Sequence, residues 1–218
     1  MRNYAIITAA GKGVRFGGNK ALYPLSGKPI LLWSLEIFSK VVDEVTVTYP
    51  EGNQEQFRDA ISEFHNVKLI SGGETRYQSV RKAFESLNAD GVVLIHDAAR
   101  PLISRGLVER ILRRAHQKGA AIPVLPVTET VKEVEKDKIV GTIARDRLAL
   151  AQTPQGFHSS ILADSYSRVQ NQDITDEAML VELAGKKVFC VPGEAINLKI
   201  TEPSDIILAE FYLRKEGK

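Results

Sequence analysis

The sequence predicts an α/β fold: a Rossmann-like, mostly parallel twisted sheet with helices on both faces, extended by a β-hairpin dimerisation arm. Three observations predict it. Short apolar runs alternate with helical patterns through the first two thirds of the chain, the sign of strands and helices closing on a parallel sheet. The runs at 4–7 and 92–95 are apolar throughout, as buried strands are. The alternation then breaks after Pro126, where two strand-like runs flank a polar tip.

In chain order, Tyr4-Ala5-Ile6-Ile7 reads as the first strand. A helix over 30–40 opens after Pro29, whose ring suits a first turn. Strands follow at 45–48 and 67–70. The helix over 75–87 carries Val80, Ala83, Phe84 and Leu87 on one face, and a strand covers 92–95. Between 104 and 118, Leu107, Val108, Ile111, Leu112 and Ala115 recur at helical spacing, with Ser104 as N-cap. A strand at 120–124 precedes the hairpin, whose strands 131–135 and 139–143 flank Lys136-Asp137-Lys138. Its apolar positions Val131, Val134, Ile139 and Ile143 need a covering surface, since a lone hairpin is marginal in water. Another subunit is expected to supply it; folding back onto its own domain is the alternative. Helices at 158–169 and 175–184, strands near Val188 and at 197–200, and a last helix from Pro203 complete the chain.

A length of 218 residues suits one domain over 1–218 with an arm at about 127–145, and is enough for one large core. A net charge of +2 argues against a nucleic acid as partner, while a small phosphorylated ligand can still be met by a local cationic pocket. The single cysteine, Cys190, excludes an intramolecular disulfide; it sits in an apolar strand and is expected in the core. No apolar stretch approaches the ~18 residues of a membrane span, and the N-terminus lacks a signal-peptide layout, so a cytoplasmic enzyme is expected.

The segment Ala9-Ala10-Gly11-Lys12-Gly13-Val14-Arg15-Phe16-Gly17-Gly18-Asn19-Lys20 follows the first strand. Its four glycines allow a sharp turn and close backbone approach, and free N–H groups there can form an anion cradle. Lys12, Arg15 and Lys20 add three cations and no acid, which is what a nucleoside triphosphate requires. It is not a P-loop, because Asn19 stands where the lysine belongs. It is not a dinucleotide loop either, because Phe16 replaces the third glycine. Gly-x-Gly-x-Arg followed by a lysine and Pro24-Leu25-Ser26-Gly27-Lys28-Pro29 resembles the sugar-nucleotidyltransferase superfamily.

A second constellation is Val92-Val93-Leu94-Ile95-His96-Asp97-Ala98-Ala99-Arg100-Pro101. An apolar strand ends in an aspartate at the sheet edge where ligands bind, and a carboxylate there is a suitable ligand for Mg²⁺. His96 reads as a packed strand-end histidine rather than a ligand; Arg100 either steadies the turn or reaches the ligand. In the third, Ser71-Gly72-Gly73-Glu74-Thr75-Arg76-Tyr77-Gln78-Ser79-Val80, a Gly-Gly turn opens a helix. Its backbone and the Ser79 hydroxyl could read a base edge, or the segment could be a turn and an N-cap alone.

These segments, with Pro126-Val127-Thr128-Glu129-Thr130, Thr153-Pro154-Gln155, Ile174-Thr175-Asp176-Glu177-Ala178 and Asn197-Leu198-Lys199-Ile200-Thr201, resemble in order the 2-C-methyl-D-erythritol 4-phosphate cytidylyltransferase family over nearly the whole chain. The resemblance implies transfer of the cytidylyl group of CTP to a sugar-alcohol phosphate, with release of pyrophosphate, in isoprenoid precursor biosynthesis. A ribitol 5-phosphate cytidylyltransferase is the alternative, and a non-catalytic nucleotide-binding module on the same fold is a third. The resemblance further implies a homodimer with interlocked arms. It makes Arg15 and Lys20 catalytic and Asp97 the Mg²⁺ ligand. Ala9, Ala10, Gly11, Gly13, Gly73, Ser79 and Ala98 bind the nucleotide. Arg145 and Lys199 grip the acceptor phosphate, assisted by Thr130 and Thr153, with Thr130 and Arg145 reaching the partner's site; Thr175 lines the sugar-alcohol pocket, and Arg100 is counted with the substrate-binding residues. Two departures stand out. Ile196 occupies a position that is often acidic in the family, leaving Asp97 to act with phosphates and water alone, and Ala21-Leu22 replaces a more polar pair.

Overall fold

In the computed structural model, which describes residues 2–11, 19–169, 173–215 and 217, the chain opens with β1 (Asn3–Thr8). A small antiparallel pair, β2 (Pro24–Leu25) and β3 (Lys28–Pro29), leads into α1 (Ile30–Phe38). There follow β4 (Glu44–Tyr49), α2 (Gln54–Ala60), β5 (Val67–Ser71), α3 (Arg76–Ser86), β6 (Val92–Asp97), α4 (Arg105–Lys118) and β7 (Ala120–Pro126). The hairpin is β8 (Val131–Glu135) and β9 (Lys138–Ile143). Then come β10 (Ala149–Ala151), β11 (Gln155–His158), α5 (Ser159–Arg168), α6 (Glu177–Leu183), β12 (Phe189–Pro192) and α7 (Pro203–Lys215).

The main sheet runs β10-β7-β11-β6-β1-β4-β5, with β12 also on β7. Pairs β1–β4, β1–β6, β4–β5 and β7–β12 are parallel, whereas β11 and β10 enter antiparallel. The strand period of two decides the layers. Ala5 and Ile7 of β1, with Val92 and Leu94 of β6, face a core capped by α1, α2 and α4. Tyr4 and Ile6, with Val93 and Ile95, face the opposite core under α3, α5 and α6. Each fully buried Leu or Ile here contributes about 1.5–3 kcal/mol. A third cluster joins Leu25, Ile30, Leu102 and Ile200 to Ala209 and Leu213 of α7.

The helix starts follow the sequence chemistry. Thr75 and Gln78 form a full capping box on α3, and the Ser104 hydroxyl accepts from the Leu107 N–H on α4. α4 ends at Gly119, whose φ of 87° is open to glycine at little cost.

Several expectations need correction. Residues 197–200 are not a strand. Only the Ile200 N–H makes a backbone bond to a strand-end loop, at the Ala99 carbonyl, and the carbonyls of Asn197 and Ile200 are taken by the side chains of Arg100, Gln152 and Lys20. Cys190 is exposed, because β12 pairs with β7 alone and buries only the alternate residues partway. The hairpin forms as expected, closed by Lys136 at φ 55°, but β8 and β9 pair only with each other. Val134 and Ile139 are 58% and 66% exposed, so the arm does not fold back onto its own domain. α2, which buries Phe57 alone, has too narrow an apolar face to be read from the sequence.

His96 continues the inward face of β6. It is fully buried, its ring centroid lies 4.9 Å from that of Phe38, and its nitrogens meet the Thr153 hydroxyl and the Arg100 carbonyl at 3.1 Å each. The packed reading therefore holds. Burial pushes the imidazole from its ordinary 6.5 down to about 4. Between those values the unfolded chain binds a proton that the folded chain does not, so stability is full above pH 6.5 and falls as pH drops toward 4, by roughly 3 kcal/mol from this group. Denaturant melts at pH 7 and pH 4.5 are expected to show that loss, with a smaller loss in His96→Asn. An equal loss in the variant would contradict a buried neutral imidazole.

Candidate active site

The carboxyl ends of β1 and β6 are held side by side, with Thr8 paired to Asp97. The Ala98 N–H donates to the Thr8 carbonyl and the Ala9 N–H to that of Thr48, both at 3.1 Å. The chain leaves β1 toward β4 on one side and returns through β6 on the other, so this is the crevice where an open α/β sheet binds ligands. A cavity of about 230 Å³ occupies it. Ala9, Ala10, Gly11, Lys20, Gly73, Ser79, Asp97, Ala98 and Lys199 all line it, so most of the expected nucleotide residues are brought together. Gly13 and Arg15 lie outside the described residues.

The Gly72-Gly73 turn has a steric reason. A Cβ on Gly72 would collide with that of Ala10 and lie 2.9 Å from Ser79 Oγ, so only glycine lets this turn press against the end of the first loop. Ser79 Oγ accepts from the Gly73 N–H and donates to the Thr75 carbonyl, both at 2.9 Å. With its proton committed, the hydroxyl can accept another hydrogen bond but not donate one. Lys20 sits in a single 3₁₀ turn, and its Nζ donates to the Ile200 carbonyl at 2.6 Å.

Asp97 is 7% exposed. Its Oδ1 accepts from Arg76 Nε at 3.1 Å and from the Thr8 hydroxyl at 3.3 Å, and its Oδ2 lies 2.7 Å from Lys199 Nζ. Burial pushes this carboxyl up, but the Arg76 guanidinium and the Lys199 ammonium outweigh it and hold it well below the usual carboxylate range. Arg76 reaches further, to Glu177 Oε2 at 2.8 Å and Oε1 at 3.0 Å. Glu177 is fully buried, and that burial raises its pKa against the pull of Arg76.

A second cavity, of about 180 Å³, adjoins the first. Thr153, Thr175, Arg100, Gln152, Gln155 and Asp176 line it. Arg76, Asp97 and Lys199 belong to both cavities and form their common wall. Arg100 lines this cavity, and its Nη1 donates to the Asn197 carbonyl at 2.8 Å, tying the end of β6 to the 197–200 segment. The Thr153 hydroxyl accepts from the Asp97 N–H at 3.1 Å and so fixes the end of β6. Thr130 and Arg145 are exposed on the arm side, and neither lines either of these two cavities; Arg145 Nη1 donates to the Thr128 carbonyl. Ile196 packs beside the cluster under α7, so that position serves the core.

Sequence reasoning missed Arg76, Glu177, Gln155 and Asp176. A carboxylate at 177 among Ala178, Leu180 and Val181 on the buried side of a short helix was the available signal. Among the described residues, no group of three His, Cys, Asp or Glu could hold a metal. A cation at the common wall would thus have Asp97 as its protein carboxylate and take its other oxygens from phosphates and water, a donor set that suits Mg²⁺.

Comparison with known proteins agrees with this architecture. The family described as IspD, 2-C-methyl-D-erythritol 4-phosphate cytidylyltransferase, matches residues 4–215. The protein of that name from Acidobacterium capsulatum is 37% identical over 100% of this chain and 99% of its own. That from Thermus thermophilus is 39% identical over 98% of each. A crystal structure of the Thermus thermophilus enzyme superposes with a TM-score of 0.83 at 36% identity, covering 96% of this chain and 98% of the other. The 4-diphosphocytidyl-2C-methyl-D-erythritol synthase of Anaerococcus prevotii gives a TM-score of 0.87 at 29% identity, covering 98% and 96%. With a matching fold and a family match over nearly its whole length, this chain belongs to the 2-C-methyl-D-erythritol 4-phosphate cytidylyltransferase family.

Proposed function

We propose that this chain transfers the cytidylyl group of CTP to 2-C-methyl-D-erythritol 4-phosphate, giving 4-diphosphocytidyl-2-C-methyl-D-erythritol and pyrophosphate. The observation that carries this reading is the common wall: two cavities meet at Arg76, Asp97 and Lys199, so two ligands can face each other across a cluster of fixed charges. The larger takes the nucleotide. Ala9, Ala10, Gly11, Gly73 and Ala98 line it, Gly13 is assigned to the nucleotide by the family's loop pattern alone, and the accept-only Ser79 hydroxyl suits the exocyclic amino group of cytosine rather than the carbonyl of uracil. The smaller takes the sugar alcohol, beside Thr153, Thr175 and Arg100.

A phosphate monoester has a second pKa of ~6, so the attacking oxygen is already deprotonated near pH 7 and no general base is needed. The difficulty is bringing two anions together: a pair of unit charges 4 Å apart repels by ~4 kcal/mol at an effective dielectric of 20. Arg15 and Lys20 hold the triphosphate and stabilise charge as it develops on the departing pyrophosphate. Lys199 and Arg145 hold the acceptor phosphate in line with the α-phosphorus. Mg²⁺, bound at Asp97, would neutralise part of the triphosphate charge.

Thr130 and Arg145 fit a role across a subunit boundary. They line neither of the two site cavities and stand next to an arm whose apolar side chains are exposed. The chain is then a single nucleotidyltransferase domain with an arm at about 127–145, acting as a homodimer in the cytoplasm. Among the described residues no helix is long and apolar enough to cross a membrane.

The direct test is Mg²⁺-dependent pyrophosphate release from CTP with the two acceptors offered side by side. Preference for 2-C-methyl-D-erythritol 4-phosphate is expected; preference for ribitol 5-phosphate would move the enzyme to polyol-phosphate metabolism, and no release with either would favour a binding module. Lys20→Ala and Arg15→Ala are each expected to lower kcat by ~10²-fold or more, the scale for losing a pre-organised electrostatic donor. Arg145→Ala should mainly raise the acceptor KM. Near-normal kinetics in all three would remove these roles, and a strict monomer with full activity by light scattering would remove the cross-subunit ones.

A further inference from the structure

Asp97 has two cationic partners of very different standing. Lys199 is 43% exposed in its side chain and approaches Oδ2 from a segment that is neither helix nor strand. Arg76 is 25% exposed, begins α3 behind a full capping box, and is gripped from behind by a carboxylate with no exposure at all. That carboxylate, Glu177, lines neither cavity. It is nonetheless fixed on both flanks. The Asp176 carboxylate caps α6 by accepting from the Met179 N–H at 2.9 Å and takes a 2.7 Å bond from Gln155 Nε2. Gln155 Oε1 in turn accepts from the Ala178 N–H at 3.1 Å. Gln155 lies on β11, which pairs directly with β6. The clamp is therefore built on the same sheet that carries Asp97.

We propose that Arg76, clamped by Glu177, is a positioning residue that keeps the Asp97 carboxylate aligned between the two cavities while Lys199 exchanges Asp97 for a substrate phosphate. This rests on the reading given under Proposed function. Lys199 cannot bind an acceptor phosphate and remain the sole counter-charge of a buried carboxylate. Arg76 resolves the conflict because it stays in place. Its planar fork reaches Asp97 through Nε and Glu177 through Nη1 at once, which a lysine, a point charge on a flexible stem, cannot reproduce. Glu177 acts only through Arg76. Removing its charge frees the guanidinium to shift, and Asp97 loses the cationic partner that stays when Lys199 turns to phosphate.

The test uses the full-length protein as the parent, Glu177→Gln, Arg76→Lys, Asp97→Asn and the Asp97→Asn/Glu177→Gln double variant. Rates are taken at temperatures where circular dichroism shows each chain folded. Glu177→Gln and Arg76→Lys are each expected to lower kcat by ~10-fold or more while leaving the CTP KM within about threefold, the pattern of a lost pre-organised charge rather than a damaged pocket. In the Asp97→Asn background, Glu177→Gln should cost less than about twofold more, because its effect runs through Asp97. Calorimetric titration with CTP provides a readout independent of turnover, and Glu177→Gln should bind CTP within about threefold of the parent. Three results would overturn the inference: kcat of Glu177→Gln within twofold of an active parent, a full multiplicative loss in the double variant, or a kcat loss matched by an equal loss of CTP affinity. An inactive parent would instead remove the functional reading on which the inference rests.

Discussion

A carboxylate sealed into the end of a β-strand is stable only where cations and donors meet it, and the organisation of this site follows from meeting that need at Asp97. The strand pairing of β1 with β6 puts the Thr8 hydroxyl on one oxygen, and the start of α3 brings Arg76 to the same atom. The chain before α7 returns across the crevice to place Lys199 on the other oxygen. From this one group the cavities divide: the glycine-rich loops lie on one side, the Thr153 to Gln155 turn and the start of α6 on the other. Losing both ion pairs would leave a buried charge uncompensated, at a cost on the order of 3–5 kcal/mol.

Much of this was legible in the sequence because the chemistry is local. A glycine-rich cationic loop after an apolar strand, an aspartate closing another, and a Gly-Gly turn running into a capped helix can each be read within about ten residues. They come together because parallel strands align their carboxyl ends at one edge of the sheet. The Arg76–Glu177 pair was not legible. Its partners are separated by 101 residues, and neither local pattern asks for the other. The antiparallel strands β10 and β11 were hidden too, being three and four residues long and lacking alternation.

The misreadings share a cause. Residues 197–200 have strand-like composition, yet their carbonyls are claimed by the long side chains of Arg100, Gln152 and Lys20, which leaves no ladder to extend. Cys190 sits in an apolar run, but in a strand with one pairing partner, where composition says nothing about which face is covered. In each case tertiary contacts set the outcome, and local composition did not.

In the proposed reaction, fixed charges align groups that are already ionised, and no residue is required to accept a proton. The most direct test is the pH dependence of kcat at saturating CTP, acceptor and Mg²⁺. Since the acceptor phosphate has its second pKa at ~6, kcat should be level from about pH 7 to pH 9. A limb rising through that range would reveal a group that must lose its proton for the reaction to proceed, and would contradict it.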